Sequence, residues 1–305
     1  MIGGVAWAAW VAWQVPHLQH AVWALALLLL AALVLVPLAL ELTNDEDDRG
    51  GIAVLVALTR LGQLPAAALL VWACGKVPGT TAALLSLPWV AMCGLVATMG
   101  WRRARTGGWR RPFHRLCGDA GQIFLGIGGA WMFADRAGAR PLNFEPAIVT
   151  LTAVHFHFAG LLLPLLAGRI VRALPESRMA TRAAVGALLG VPAVALGITA
   201  TQLGWGMALE RAAGCGLALA GMAVGLLHVR LATELRTASM VTRALLLGAG
   251  VALFLGMALA VAYALRGSVA ALAWLDWPTM RAVHGSLNAL GFGLCGVWAW
   301  GRMKA

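Results

Sequence analysis

Apolar residues run along this chain in blocks of about twenty, separated by short stretches in which Arg, Asp, Glu, Pro and Gly gather. At a rise of 1.5 Å per residue, such a block is the length of helix that crosses roughly 30 Å of hydrocarbon. The pattern predicts nine spanning helices, at about 21–42, 52–74, 79–100, 119–136, 146–170, 183–204, 207–230, 243–265 and 279–301. The connections are too short to hold a soluble domain. The reading is therefore a single all-α domain over residues 1–305, a polytopic transmembrane helical bundle. The first apolar run, Met1 to Trp13, has no basic leading segment and no small-residue cleavage site, so it is not read as a removed signal peptide. It is short for a span, and is either interfacial or a tilted tenth helix. No repeat period stands out from the Ala/Leu/Gly/Val background.

Composition supports the pattern. Of 305 residues, 61% are hydrophobic and 11% charged, and the mean hydropathy is +0.83, which excludes an ordinary soluble domain. The formal charge of +11 raises nucleic acid as a partner, but the basic residues sit in short loops between spans, where an orientation signal explains them. The lipid bilayer is the partner, and nucleic acid is not. Cys74, Cys93, Cys117, Cys215 and Cys295 are scattered, with no CxxC pair, so neither a disulfide framework nor a zinc ribbon follows.

Alternating the loops across nine spans places sixteen Lys and Arg on one side and six on the other, with Arg60 left inside a span. The rich side takes Arg49, the cluster Arg102 to Arg115, Arg169 to Arg182, Arg230 to Arg243, and Arg302 with Lys304. Positive charge collects on the cytoplasmic side, so the C-terminus is expected there, in a multi-pass protein of a bacterial inner membrane. The acidic run Asn44 to Asp48 falls on the same side, where acidic residues weigh little in the rule. Glu41 and Arg60 are placed to pair near that surface.

The chemistry-bearing residues concentrate in two spans. The stretch from Pro146 to Gly168 carries no Asp, Glu, Lys or Arg, and near its middle lie His155 and His157. A polar group unpaired in hydrocarbon costs several kcal/mol, so each ring needs a partner or a cavity. Successive helical residues turn by about 100°, which sends the two rings about 200° apart and to different neighbours. Thr152 and Thr150 lie near them. In the last span, His284 and Asn288 are four residues apart on one face, continued by the small residues Gly291 and Cys295. Counting from Glu145 and Thr279 puts His155 and Asn288 both about 15 Å deep, close to the midplane. Glu145 opens the histidine helix, where the dipole favours a carboxylate and its side chain is placed to cap. The catalytic candidates are thus His155, His157, His284 and Asn288. Thr152, Glu145, Phe156, Phe158 and Phe292 are expected to contact the substrate. Asp135, Gln202, Glu210, Asp276 and His228 are read as interfacial.

These are also the residues of a resemblance. The segment LTAVHFHFAG (Leu151 to Gly160), preceded by RPLNFEP (Arg140 to Pro146), resembles the most recognisable block of the YndJ-like family of bacterial membrane proteins, and VHGSLNALGF (Val283 to Phe292) resembles its second block. The resemblance implies a polytopic membrane protein with His155, His157, His284 and Asn288 at motif positions. The family carries a transporter label.

The expected function is an integral membrane enzyme that uses histidine, with Asn288 as hydrogen-bond donor or orienter, for acid–base chemistry on a lipid-soluble small molecule. Isomerisation or cyclisation of a terpenoid or polyketide-like compound is the type. Histidine exchanges protons near neutral pH, and no nucleophile motif, phosphate loop or acidic metal box is present. One alternative is a proton-coupled transporter in which the same histidines are protonation sites. A haem or metal protein is another, although an HxH pair on one helix is poorly placed to chelate, and no cofactor is expected.

Overall fold

The computed structural model describes residues 2–17, 19–43, 48–267 and 269–303. Asn44 to Asp47 and Lys304, used above in the charge count, lie outside the described residues. Helix dominates, and there is no strand among the described residues. A short first helix, α1 (Ile2–Gln14), is followed by α2 (Ala21–Thr43), α3 (Gly51–Cys74), α4 (Thr80–Gly107), α5 (Phe113–Ala137) and α6 (Pro146–Ala173). Then come α7 (Arg178–Gln202), α8 (Ala208–Glu234), α9 (Met240–Leu265) and α10, residues 277–302. Each predicted span falls on one of these helices; α4 runs on past the predicted end to Gly107, and α5 and α7 begin earlier than predicted, at Phe113 and Arg178. The chain is a polytopic helical membrane protein.

Seven of the helices, α2, α3, α4, α6, α7, α8 and α9, are long and apolar enough to cross a membrane. Helix α5 has the length, 25 residues, but Asp119, Gln122, Asp135 and Arg136 dilute its apolar character. Helix α10 is interrupted by π-helical stretches. With 13 residues, α1 is about 20 Å long and too short for a straight crossing. It lies along α2 instead, where Trp7 Nε1 donates to Ala26 O at 2.7 Å.

Two compact units make up the chain, Met1–Leu165 and Leu166–Ala305. In the first, α3 packs on α4, α4 on α5 and α5 on α6, with α2 against the start of α6. The second is a meander in which α7, α8, α9 and α10 each pack on the next. Lipid supplies no hydrophobic drive between helices, so close approach through small residues holds them together. At the crossing of α8 and α9, a Cβ on Gly225 would lie 2.7 Å from the Gly250 carbonyl oxygen, and one on Gly250 would lie 2.5 Å from that of Gly225. Gly291 of α10 packs on Ala252 in the same way. Ser177, Ser239 and Asp276 cap the starts of α7, α9 and α10 by accepting from Ala180 N, Thr242 N and Thr279 N.

The first unit also buries charge. Arg103 is 2% exposed and pairs with Asp48, donating from Nε to Oδ1 at 2.9 Å, while its Nη1 reaches Gln122 Oε1 at 3.3 Å. Arg111 pairs with Asp119 beside it. Asp135, expected at the interface, is buried: it pairs with Arg136 at 2.6 Å and accepts from Thr150 Oγ1. A carboxylate can leave water there because a guanidinium and a hydroxyl replace its hydration. Glu41 and Arg60 do pair, at 3.3 Å, and both stay exposed. Trp101, Trp274 and Trp277 remain exposed, as aromatic belts at a membrane surface require.

Candidate functional site

Both histidine segments are π-helical. Helix α6 changes from α to π geometry over Phe156–Leu162, directly after His155, and α10 is π-helical over Met280–His284 and again over Leu287–Leu294. A π stretch is rare, displaces the usual i→i−4 ladder and recurs at functional positions. Another lies in α2 at Ala31–Leu35. The sequence gives no period for this geometry. It does carry glycines at these places, where neighbouring backbone and rings come close.

In the first unit, α6 splits its two histidines as helical geometry predicts. His157 is fully buried. Its Nδ1 donates to Ala153 O at 2.8 Å and its Nε2 accepts from Trp89 Nε1 at 3.1 Å, so both ring nitrogens are used. The ring fits against Gly128 of α5, where a Cβ would lie 2.9 Å from Nδ1. His155 is exposed, its Nδ1 donates to Leu151 O at 2.7 Å, and its Nε2 has no hydrogen-bond partner among the described residues. A carbonyl only accepts, so Nδ1 carries the proton in both rings and the lone pair lies on Nε2. His157 therefore holds α4 against α6, while His155 presents a basic nitrogen.

The threonines near these rings are used elsewhere: Thr152 donates to Ile148 O at 2.7 Å and Thr150 to Asp135. Glu145 stands at the N-cap position of α6 without making a cap hydrogen bond, and pairs with Arg140 at 3.3 Å instead. The expected cap is corrected accordingly. Its backbone there is extended, and the side chain is exposed to water, where a second charge competes well for it. Phe156 and Phe158 are buried, Phe156 edge-on to Phe124 with centroids 6.4 Å apart.

The second unit repeats the Trp–His lock. His228 is fully buried in α8, donating from Nδ1 to Val224 O at 2.9 Å and accepting at Nε2 from Trp300 Nε1 at 3.2 Å. Phe292 packs edge-on against it, with centroids 5.7 Å apart. The interfacial assignment of His228 is thus overturned, because an indole N–H supplied by α10 replaces water at the one nitrogen left over. Neither Trp89 nor Trp300 was singled out from the sequence. The available signal was Trp89 itself, a tryptophan deep inside α4 rather than near an end. Replacing Trp89 or Trp300 by Phe leaves the partner Nε2 buried and unpaired. Each substitution is expected to cost about 1–2 kcal/mol in thermal unfolding of the purified protein.

His284 and Asn288 come together on Gly256 of α9. His284 Nδ1 donates to Gly256 O at 2.8 Å, across helices rather than to its own turn. Asn288 Nδ2 donates to His284 O at 2.9 Å, and its amide lies 2.9–3.1 Å from the place a Cβ on Gly256 would occupy. Asn288 Oδ1 is buried and accepts no hydrogen bond among the described residues. Seven residues before Asn288, Arg281 Nε is likewise buried and unpartnered, with the guanidinium over the Trp277 ring at 5.8 Å. The cluster thus offers an imidazole whose lone pair is on Nε2, an idle buried acceptor and a cation without an anion. Among the described residues, no group of three or more His, Cys, Asp and Glu is placed to hold a metal ion.

His155 and His157 belong to the first unit, and His284, Asn288 and Phe292 to the second. Residues 26–292 match the family model described as YndJ-like protein, a stretch that encloses both histidine segments. Over 95 residues the chain is 37% identical to the uncharacterized membrane protein YndJ of Bacillus subtilis (strain 168). That match covers 30% of this chain and 17% of the relative's length. No solved structure matches. The expectation drawn from LTAVHFHFAG and VHGSLNALGF therefore holds, and the chain belongs to the YndJ-like family of membrane proteins.

Proposed function

We propose that this protein is a multi-pass enzyme of a bacterial inner membrane that moves a proton within a lipid-soluble small molecule, with His284 as the acid–base group and Asn288 as its hydrogen-bonding partner to the substrate. The observation that carries the reading is the idle Oδ1 of Asn288, buried beside His284. A buried acceptor left unpaired costs about 1–3 kcal/mol, and a substrate hydroxyl or N–H would remove that cost on binding. His284 has its tautomer fixed by Gly256 O, so the basic lone pair of the ring lies on Nε2. In an isomerisation, Nε2 takes a proton from one carbon of the substrate and returns it to another. Nothing else is consumed, which suits a compartment poor in water and co-reactants. His155, whose Nε2 has no hydrogen-bond partner among the described residues, is a second acid–base candidate on the first unit. His157 and His228 are assigned to packing.

The test compares organic-solvent extracts of bacterial cells producing the wild-type chain, its variants or the empty vector by chromatography and mass spectrometry. One lipid-soluble compound is expected to convert to an isomer of equal mass. His284→Gln is expected to slow that conversion by about 10²–10⁴-fold, with folded yield unchanged. Wild-type extracts identical to the vector control, or full conversion by His284→Gln, would sink the acid–base reading. A compound that changes compartment without changing retention time would identify transport instead.

A further inference from the structure

Arg281 and Arg169 are the two half-buried arginines among the described residues whose Nε is shut off from water without a hydrogen-bonded acceptor and whose guanidinium lies over a tryptophan ring, and of the two Arg281 is the one on the helix that carries Asn288. Arg103, Arg111 and Arg136 each face a carboxylate. Arg281 faces the Trp277 ring and has no hydrogen-bonded acceptor among the described residues, although its Nε is shut off from water. A guanidinium keeps its charge at any pH the protein meets, so it cannot escape the cost of burial by losing a proton. Its five N–H donors match a carboxylate or phosphate. Seven residues along α10, and so about 10 Å deeper, lies the idle acceptor of Asn288. Asp276, the nearest carboxylate in sequence, is engaged as the cap of α10, where it accepts from Thr279 N.

We propose that Arg281 and Asn288 hold the two polar ends of one amphiphile. Its anionic head, a carboxylate or phosphate, sits on the Arg281 guanidinium beside Trp277, and a hydroxyl or N–H about 10 Å along the molecule donates to Asn288 Oδ1. The substrate class is thus a lipid-soluble acid with a donor partway down its apolar body, delivered with that donor beside His284. The inference rests on the acid–base reading for the purpose of this binding. It stands or falls on equilibrium binding, which needs no turnover.

The experiment measures retention of radiolabelled decanoate by the full chain in phosphatidylcholine nanodiscs, with empty discs subtracted. Unlabelled decanoate and decyl phosphate are expected to displace the label, and decanol is not. Arg281→Gln is expected to weaken decanoate binding at least about tenfold, with Arg281→Lys recovering part of it. In the wild type, ω-hydroxydecanoate is expected to bind several-fold more tightly than decanoate, an advantage that Asn288→Leu removes without weakening decanoate itself. Equal displacement by decanol, which needs no variant to fold, would overturn the proposal. So would unchanged binding in Arg281→Gln, or loss of the label when phosphatidylglycerol is added to the discs, since Arg281 would then serve ordinary lipid headgroups. Should the isomer fail to appear in cells while this pattern holds, the acid–base reading fails and the binding inference survives. The reverse outcome removes only the anionic head.

Discussion

Replacing Arg103 by methionine is expected to destabilise the protein by about 3–5 kcal/mol, because it removes a buried guanidinium from the carboxylate that it neutralises. Arg103 is 2% exposed, and its guanidinium meets both oxygens of Asp48 and the carbonyl of Gln122. Removing the cation takes this guanidinium away from Asp48, whose side chain is only 12% exposed. The double substitution Asp48→Asn with Arg103→Met should cost clearly less than the two single costs combined, since both charges of the pair go together. Arg60→Met is the control: Arg60 also pairs with a carboxylate, Glu41, but both side chains are 59% exposed, and the loss should be under about 1 kcal/mol. Thermal or denaturant unfolding in detergent reads all four variants. Equal losses for Arg103→Met and Arg60→Met would show that burial does not govern the Arg103 pair.

Gly250→Ala is expected to be the most damaging single-methyl addition on α9. The new Cβ would lie 2.5 Å from the carbonyl oxygen of Gly225 and 2.9 Å from the backbone nitrogen of Val229. Both are backbone atoms of α8, so no side chain can turn away, and the two helices must separate along their crossing. Overpacking of this kind costs about 1–3 kcal/mol, and a valine costs more. Gly248→Ala, two residues earlier, meets nothing within 4 Å. There the better helix propensity of alanine should leave stability unchanged or raise it by up to about 1 kcal/mol. A ranking with Gly248→Ala as the worse of the two would refute the close crossing.

The helices themselves were legible because the bilayer imposes their length. A stretch such as 240–265 that is apolar all round has one stable form in hydrocarbon, where each backbone N–H and C=O must be satisfied within the segment. The separation of His155 from His157 was legible for the same kind of reason, since residues two positions apart on a helix point about 200° from each other and cannot share a face. The pairing of His284 with Asn288 followed from their spacing of four. Their joint seat on Gly256 did not, because a glycine in α9 is one of many and nothing local marks which of them receives a ring and an amide.

The partners of the buried groups were not legible. Trp89 is 68 residues from His157 and Trp300 is 72 from His228, and each pair is brought together by helices that are not consecutive in the chain. Asp135 and His228 were read as interfacial from their positions near helix ends, yet both are buried, because side chains took over the hydrogen bonds water would have made: Arg136 and Thr150 for Asp135, and the distant Trp300 for His228. The change from α to π geometry in α6 and α10 was equally hidden. In α6 it coincides with a close approach of the neighbouring helix, where a Cβ on Gly121 would lie 2.7 Å from the Leu161 carbonyl oxygen.

The sequence alone thus determined what the solvent dictates: a membrane protein, its helices and their ends, the family, and the two segments in which polar groups stand against an apolar background. Tertiary structure decided which of those polar groups are spent on holding helices together and which are left over. His157 and His228 are locked by tryptophans, whereas His155 Nε2, Asn288 Oδ1 and Arg281 Nε have no such partner among the described residues. The physical reason is that the cost of a polar group in a membrane is fixed by its own chemistry, but the means of meeting that cost belong to the neighbours the fold brings to it.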